Sequence, residues 1–312
     1  MNGPAPQEFR DPALVDFGVD TTGSGRRLER LGGVLVDRPL PQSTARRARP
    51  ALWTGARAAY RLASPGDGEH RPGRGPRGHW DFTGPLPDPW QVRLPLDGET
   101  TLTLEVRPAP SGQTGLFLEQ AEQWRWLTRT TPAGTTMLSL FGHSGAATLA
   151  LAAAGAEVVH VDASRQALAL ARRNADASGL ASKPIRWVCA DAPGFVKRQI
   201  KRGATFSGAV LDPPSWGHGP DGEAFAIDRD LEPLVADVAR LLGGHAGIPR
   251  GPILLTCHSA GWHPGRLRDT LSRALRAAGL DGGSFESGPL GCADDSGRTI
   301  ELGGFARWTP AS

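Results

Sequence analysis

From residue 136 onward, short apolar runs of strand length alternate with longer Ala-, Leu- and Arg-rich stretches, and this alternation constrains the fold more than any other feature. Strands are predicted at 136–141, 157–162, 185–191, 206–212 and 253–257, and helices at 146–154, 164–178, 194–202, 228–242 and 264–278. Residues 118–130 also have helical spacing, and the chain from 285 reads as a closing β-hairpin. Strand and helix in regular succession build a parallel sheet covered on both faces. The predicted class is therefore α/β: a Rossmann-like sheet, mostly parallel, with a C-terminal antiparallel hairpin and a small N-terminal β-rich domain.

The first third has a different character, rich in Gly, Pro and Arg with short strand-like stretches between turn signals. Strands are expected at 14–17 and 26–36, and 66–78 reads as an exposed loop with little to offer a core. Val92, Leu94 and Leu96 alternate up to Asp97-Gly98, and Leu102, Leu104 and Val106 alternate after it, as in a hairpin. The expected domains are 1–112, accessory, and 113–312, the α/β domain. Between Arg26 and Arg93 thirteen arginines stand against six acids, an excess suited to phosphate, although Lys183, Lys197 and Lys201 are the only lysines and a general preference for Arg explains it equally. Three cysteines, no apolar leader in 1–10 and no apolar run long enough to cross a bilayer point to a soluble cytoplasmic protein without disulfides.

In a parallel sheet of this kind the ligand lies beyond the carboxyl ends of the strands. The first strand runs into Phe141-Gly142-His143-Ser144-Gly145, small residues that let a ligand approach the backbone. The second ends at Asp162-Ala163, about where a carboxylate accepts the hydroxyls of a ribose, so loop and acid together fit a nucleoside cofactor, NAD included. The third ends at Asp191-Ala192 and the fourth at Asp212-Pro213-Pro214-Ser215-Trp216, and these favour S-adenosylmethionine over NAD. Asp191 serves either the adenine amino group or the cap of the next helix.

Several stretches carry a family resemblance: Arg26-Arg27-Leu28-Glu29-Arg30, Thr114-Gly115-Leu116-Phe117-Leu118-Glu119-Gln120, His160-Val161-Asp162-Ala163-Ser164, Pro184-Ile185-Arg186-Trp187, Leu211-Asp212-Pro213-Pro214-Ser215-Trp216-Gly217-His218-Gly219-Pro220 and Leu255-Thr256-Cys257-His258-Ser259. Over about 14–261 the chain resembles the bacterial class I methyltransferases related to the large-subunit ribosomal RNA cytosine-C5 methyltransferases. The resemblance implies S-adenosylmethionine as cofactor, with Gln120 and the loop Phe141, Gly142, Ser144 and Gly145 bordering it. Asp162 with Ala163 then meets its ribose, Asp191 with Ala192 its adenine, and Asp212 its methyl-bearing end. It also implies an RNA substrate held by Pro213, Pro214, Ser215 and Trp216. The loop departs from its relatives, with His143, Ala146 and Ala147 where they carry an aromatic residue and a further glycine.

Methylating carbon 5 of cytosine requires a thiolate to add at carbon 6 and a base to remove the carbon-5 proton. Cys257, at the end of the fifth strand, is the candidate nucleophile or else a small core residue, with Cys189 placed inside its strand and Cys292 in a Gly-rich segment. His258 lowers the thiol pKa if the two side chains meet, which adjacent strand positions disfavour. Asp212 either holds an exocyclic amine or accepts the proton, and Trp216 either stacks on a base or packs the domain. His218, His258 and His263 match no metal site. Three readings follow: an RNA cytosine-C5 methyltransferase using Cys257, a methyltransferase of a base amine or small molecule without a cysteine nucleophile, and a non-catalytic nucleoside- or RNA-binding relative.

Overall fold

The computed structural model describes residues 11–63, 78–242, 251–280 and 282–311, which fall into two compact units. The predicted loop at 66–78, apart from its last residue, lies outside the described residues, as do Arg71, Arg74 and Arg77. The first unit comprises Met1–Leu94, Glu105–Leu118 and Cys292–Ile300; the second comprises Pro95–Leu104, Glu119–Gly291 and Glu301–Ser312.

The first unit is built on a five-stranded sheet in the order β1 (Ala13–Val19), β2 (Gly25–Leu31), β3 (Val34–Pro39), β4 (Ala58–Leu62), β5 (Gly78–Phe82). Val15, Leu28 and Trp53 form one of its apolar clusters. The run 26–36, expected as one strand, is two antiparallel strands, because Gly32 and Gly33 both take left-handed backbone angles and reverse the chain. Asp11 accepts a hydrogen bond from each of their N–H groups. A two-stranded ribbon follows, β6 (Gln91–Pro95) with β7 (Thr101–Glu105). Its turn is wider than an Asp-Gly dipeptide: Gly98 is not left-handed, and the Asp97 carboxylate closes the loop by accepting from the N–H of Glu99 at 3.0 Å and of Thr100 at 2.6 Å.

The second unit carries α1 (Ala121–Thr130) and then the predicted alternation: β8 (Thr136–Leu140), α2 (Ala146–Ala153), β9 (Glu157–Asp162), α3 (Arg165–Ala177), β10 (Ile185–Cys189), α4 (Ala192–Lys201) and β11 (Gly208–Leu211). A small ribbon of β12 (Trp216–His218) and β13 (Ala224–Ala226) interrupts it before α5 (Ile227–Leu242), β14 (Ile253–Cys257), α6 (Pro264–Ala277) and the hairpin β15 (Ser284–Ala293), β16 (Thr299–Thr309). The seven-stranded sheet has the order β10-β9-β8-β11-β14-β16-β15, parallel from β10 to β14 and antiparallel where β16 joins β14. The expected α/β class and closing hairpin are those found.

Local chemistry explains these elements. The central strands β11 and β14 are buried at every position, as strands covered on both faces must be. Ser164 caps α3 by accepting from the N–H of Ala167, and Leu168, Ala171 and Ala175 at helical spacing form its buried face. Leu138, Leu140, Leu211, Leu255, Leu231, Val238 and Leu271 belong to one continuous core. Because β8 lies between β9 and β11 and the chain leaves it first toward β9 and later toward β11, the strand order reverses there. The carboxyl ends of β8, β9 and β11 therefore border the crevice where such sheets bind ligands.

Candidate active site at the carboxyl edge of the sheet

The loop after β8 is held in an uncommon backbone conformation. Phe141 and His143 have φ of 56° and 44°, in the left-handed region that side-chain-bearing residues seldom adopt, and Gly145 follows at 87°. Such angles persist where surrounding contacts impose them, and they cluster at ligand sites. Here the contacts are visible. The N–H of Gly142 donates to the Val161 carbonyl at 3.2 Å, the N–H of His143 donates to Asp162 Oδ2 at 2.9 Å, and Asn174 Nδ2 donates to the Ser144 carbonyl at 2.8 Å. Gly142 has no room for a side chain, since a Cβ there would lie 2.3 Å from the His160 ring. His160 is buried, accepts or donates at Nδ1 with Thr148 Oγ1 at 2.8 Å, and has its pKa pushed down to about 3 by burial and then by His143.

Asp162 ends β9 with both oxygens oriented by backbone, Oδ1 accepting from Ser164 N–H at 2.8 Å and Oδ2 from His143 N–H. A half-exposed carboxylate fixed in this way retains lone pairs for a pair of hydroxyls, so the donor set fits the ribose of a nucleoside cofactor. Ala163, next to it, accepts at its carbonyl from Cys189 Sγ at 3.5 Å. Cys189, expected inside its strand, is instead the last residue of β10 and exposed. Asp191 does cap α4, Oδ2 accepting from Gly194 N–H at 2.8 Å, with Ala192 buried as the first helical residue.

Asp212 follows β11. Its Oδ1 accepts from Thr256 Oγ1 of β14 at 2.6 Å and lies 4.0 Å from His258 Nε2. Pro213 is buried, whereas Pro214, Ser215 and Trp216 are exposed. Trp216, 42% exposed, does not pack the domain; its ring stands edge-on to His218 with centroids 4.2 Å apart. The packing tryptophan of this region is Trp262, buried and donating to Asp228 at 2.9 Å. Ser215 and Ser259 share a hydroxyl–hydroxyl bond of 2.6 Å, tying the ends of β11 and β14 together.

Cys257 and His258 point apart. Cys257 is buried in the core, its Sγ accepting from Ser259 N–H at 3.3 Å, and burial is the main cause that pushes its thiol pKa up. His258 Nδ1 contacts the Leu302 carbonyl at 3.0 Å, which places the proton on that nitrogen, while Nε2 lies 3.3 Å from Gln120 Nε2. Gln120 is buried in the short turn Leu118–Gln120 before α1, and its neighbour Glu119 brings a second carboxylate, this one buried, into the same cluster, Oε1 3.8 Å from His258 Nδ1. The sequence reading missed Glu119 and the place of His258 beside Gln120 and Asp212. Both lie in stretches that carry the family resemblance, but strand and helix periodicity says nothing about residues in the turns.

Among the described residues no three His, Cys, Asp or Glu side chains are grouped to hold a metal, and no helix is long and apolar enough to cross a membrane.

No protein-family model matches the chain. Among curated proteins it is similar to ribosomal RNA large subunit methyltransferase K of Neisseria meningitidis, 31% identical over 131 residues, covering 41% of this chain and 37% of the relative. It is likewise similar to ribosomal RNA large subunit methyltransferase I of Aeromonas hydrophila, 32% identical over 126 residues, covering 40% of this chain and 31% of the relative. The match spans about a third of the length of these relatives. A protein assigned as a methyltransferase and crystallised with S-adenosylhomocysteine shares the fold at 16% identity and a TM-score of 0.65, covering 96% of this chain and 76% of its own. The crystal structure of the S-adenosylmethionine-dependent methyltransferase from Agrobacterium tumefaciens matches with a TM-score of 0.81 at 30% identity, covering 97% of this chain and 91% of the other. Likeness of that extent, in sequence as well as in fold, places the chain in the S-adenosylmethionine-dependent methyltransferase family.

Proposed function

We propose that this methyltransferase acts on a base of RNA, presented at the edge formed by Asp212, Pro213, Pro214, Ser215 and Trp216. The observation that carries the reading is the exposed Trp216 two strand ends from the half-exposed carboxylate of Asp162, with the half-exposed Asp212 carboxylate beside it. An exposed aromatic ring offers a stacking face for a base taken out of a strand, and the carboxylate an acceptor for its exocyclic amine. The names of the curated relatives, large-subunit ribosomal RNA methyltransferases, support RNA as the acceptor.

On this reading the loop Phe141, Gly142, Ser144 and Gly145 and the side chain of Gln120 border the cofactor. Asp162 and Ala163 hold its ribose, Asp191 and Ala192 its adenine, and Asp212 lies by its reactive end. When bound, S-adenosylmethionine supplies an electrophilic methyl group. The first unit is the RNA-docking part.

Cytosine carbon 5 is the acceptor that the Thr256-Cys257 strand end supports. Cys257 would add to carbon 6 as its thiolate, making carbon 5 nucleophilic toward the methyl group that S-adenosylmethionine would supply, and Asp212 would take the carbon-5 proton as the bond to the Cys257 sulfur breaks. One observation favours a second reading, methylation of an exocyclic amine held by Asp212 and the Pro213-Pro214 turn: Cys257 is buried and its thiol is pushed toward the neutral form. Transfer of labelled methyl from S-adenosylmethionine to transcribed large-subunit ribosomal RNA tests the function, and nucleoside analysis of the product identifies the atom. For carbon 5, Cys257→Ala abolishes turnover and 5-fluorocytosine RNA traps the parent enzyme at Cys257. Turnover by Cys257→Ala near the parental rate, with no adduct, leaves the amine reading. Failure to label any RNA removes both.

A further inference from the structure

Glu119 poses a problem that the packing of the protein leaves unsolved. Its side chain is 4% exposed, and Oε2 is buried with no hydrogen-bond partner among the described residues. A buried carboxylate oxygen left without a donor is costly, and each such group in a native fold calls for an explanation. The other oxygen does not relieve it, since His258 Nδ1 is 3.8 Å away, too far for a hydrogen bond, and that nitrogen is engaged with the Leu302 carbonyl. The partner of Oε2 is therefore expected to arrive with a ligand.

The position narrows the ligand. Glu119 adjoins Gln120, whose amide reaches His258 at 3.3 Å, and His258 in turn lies 4.0 Å from Asp212. The orphaned carboxylate thus belongs to the end of the sheet's carboxyl edge that takes the reactive part of the cofactor. S-adenosylmethionine carries two positive charges there, a sulfonium and an α-ammonium. A sulfonium has no N–H or O–H to donate, whereas an ammonium has three N–H donors, and an unsatisfied oxygen needs a donor.

We infer that Glu119 is the residue that receives the α-ammonium group of the cofactor's amino-acid portion. The inference rests on S-adenosylmethionine as the cofactor and is independent of the acceptor. The carboxylate is held ready by burial in the turn before α1, and the cofactor donates the charge-assisted hydrogen bond that Oε2 lacks among the described residues.

Calorimetry on the full chain tests this with Glu119→Gln, which keeps the size of the side chain and removes its charge. S-adenosylhomocysteine is expected to bind the variant at least about tenfold more weakly, as loss of a charge-assisted hydrogen bond dictates. Two probes serve as controls: 5′-methylthioadenosine, which lacks the amino-acid portion, and the S-adenosylhomocysteine analogue without its amino group. Both should bind parent and variant alike to within about twofold. Thermal unfolding without ligand reports folding, and the variant should melt no lower than the parent, since it buries one charge fewer. Unchanged affinity for S-adenosylhomocysteine overturns the inference, as does an equal loss for all three ligands. A loss confined to S-adenosylmethionine, with its homocysteine product unaffected, overturns it in favour of the sulfonium. A parent that binds none of the ligands defeats the cofactor itself rather than the role of Glu119.

Discussion

At the scale of single residues, the most consequential side chain is Asp162, whose two oxygens are already aimed by the N–H groups of His143 and Ser164. Asp162→Ala is expected to weaken S-adenosylhomocysteine binding by at least about 1.5 kcal/mol, because a ribose loses charge-assisted bonds. Calorimetry that shows parental affinity removes Asp162 from the site. His160 links the same loop to pH. Its pKa of about 3 in the fold lies below the ordinary 6.5, so the unfolded chain takes up a proton that the folded protein refuses. The stability this group contributes is present above pH 6.5 and is lost as the pH falls toward 3. Urea titrations between pH 7 and 4 should show a decline of up to about 1.4 kcal/mol per pH unit from this residue. His160→Gln should flatten that slope, and an unaltered slope would show that other groups govern acid unfolding. Asp162 and Asp212 were legible in the sequence because each ends a strand whose period is clear. The burial of Cys257 was not, for the same period fits a thiol at the open edge and one turned into the core.

At the scale of elements, the loop between β8 and α2 is fixed by what lies beneath it. A methyl group at position 142 would meet the His160 ring, a residue of the neighbouring strand, so Gly142→Ala should cost about 1–3 kcal/mol and lower cofactor affinity together. Thermal unfolding and calorimetry on one sample check both, and a variant with parental values would show that the loop yields easily. The ribbon β12–β13 contributes to the same region through Phe225, a core residue packed against Phe141 at a ring separation of 5.2 Å. The sequence did not reveal this ribbon, since three-residue strands leave too short a pattern to detect. The alternation of β8 to α6 was plain because long helices and apolar strands repeat. The turn at Gly32-Gly33 carried its signal in the sequence, yet the apolar residues on either side read as one strand.

At the scale of the whole molecule, the arginine excess of the first third changes meaning. Arg26 is paired with Asp37 at 2.6 Å, and Arg38 grips Glu29 through two nitrogens; in both pairs the side chains are buried. Burial raises the Glu29 pKa, but Arg27 and Arg38 outweigh it and leave the carboxyl below its usual range. These arginines are committed within the fold, and Arg61 at the surface donates to Asp37 at 3.1 Å, whereas Arg46 and Arg93 are exposed. Affinity for large-subunit ribosomal RNA should therefore fall with salt less steeply than thirteen arginines imply, and Arg93→Ala should lower the slope by about one while Arg26→Ala acts through stability. Filter binding across a salt series measures it, and a slope insensitive to Arg93 would take that residue out of the RNA contact. The first unit is also stitched from distant parts of the chain: Arg298 donates to Asp16, 282 positions earlier, and Asp16 is wholly buried among the N–H groups of Phe17, Ala48, Arg49 and Trp53. During translation β1, with its Asp16, is made long before Arg298, the residue that completes the pair. The buried acid waits for a cation that is synthesised only after strands β8 to β14 of the other unit.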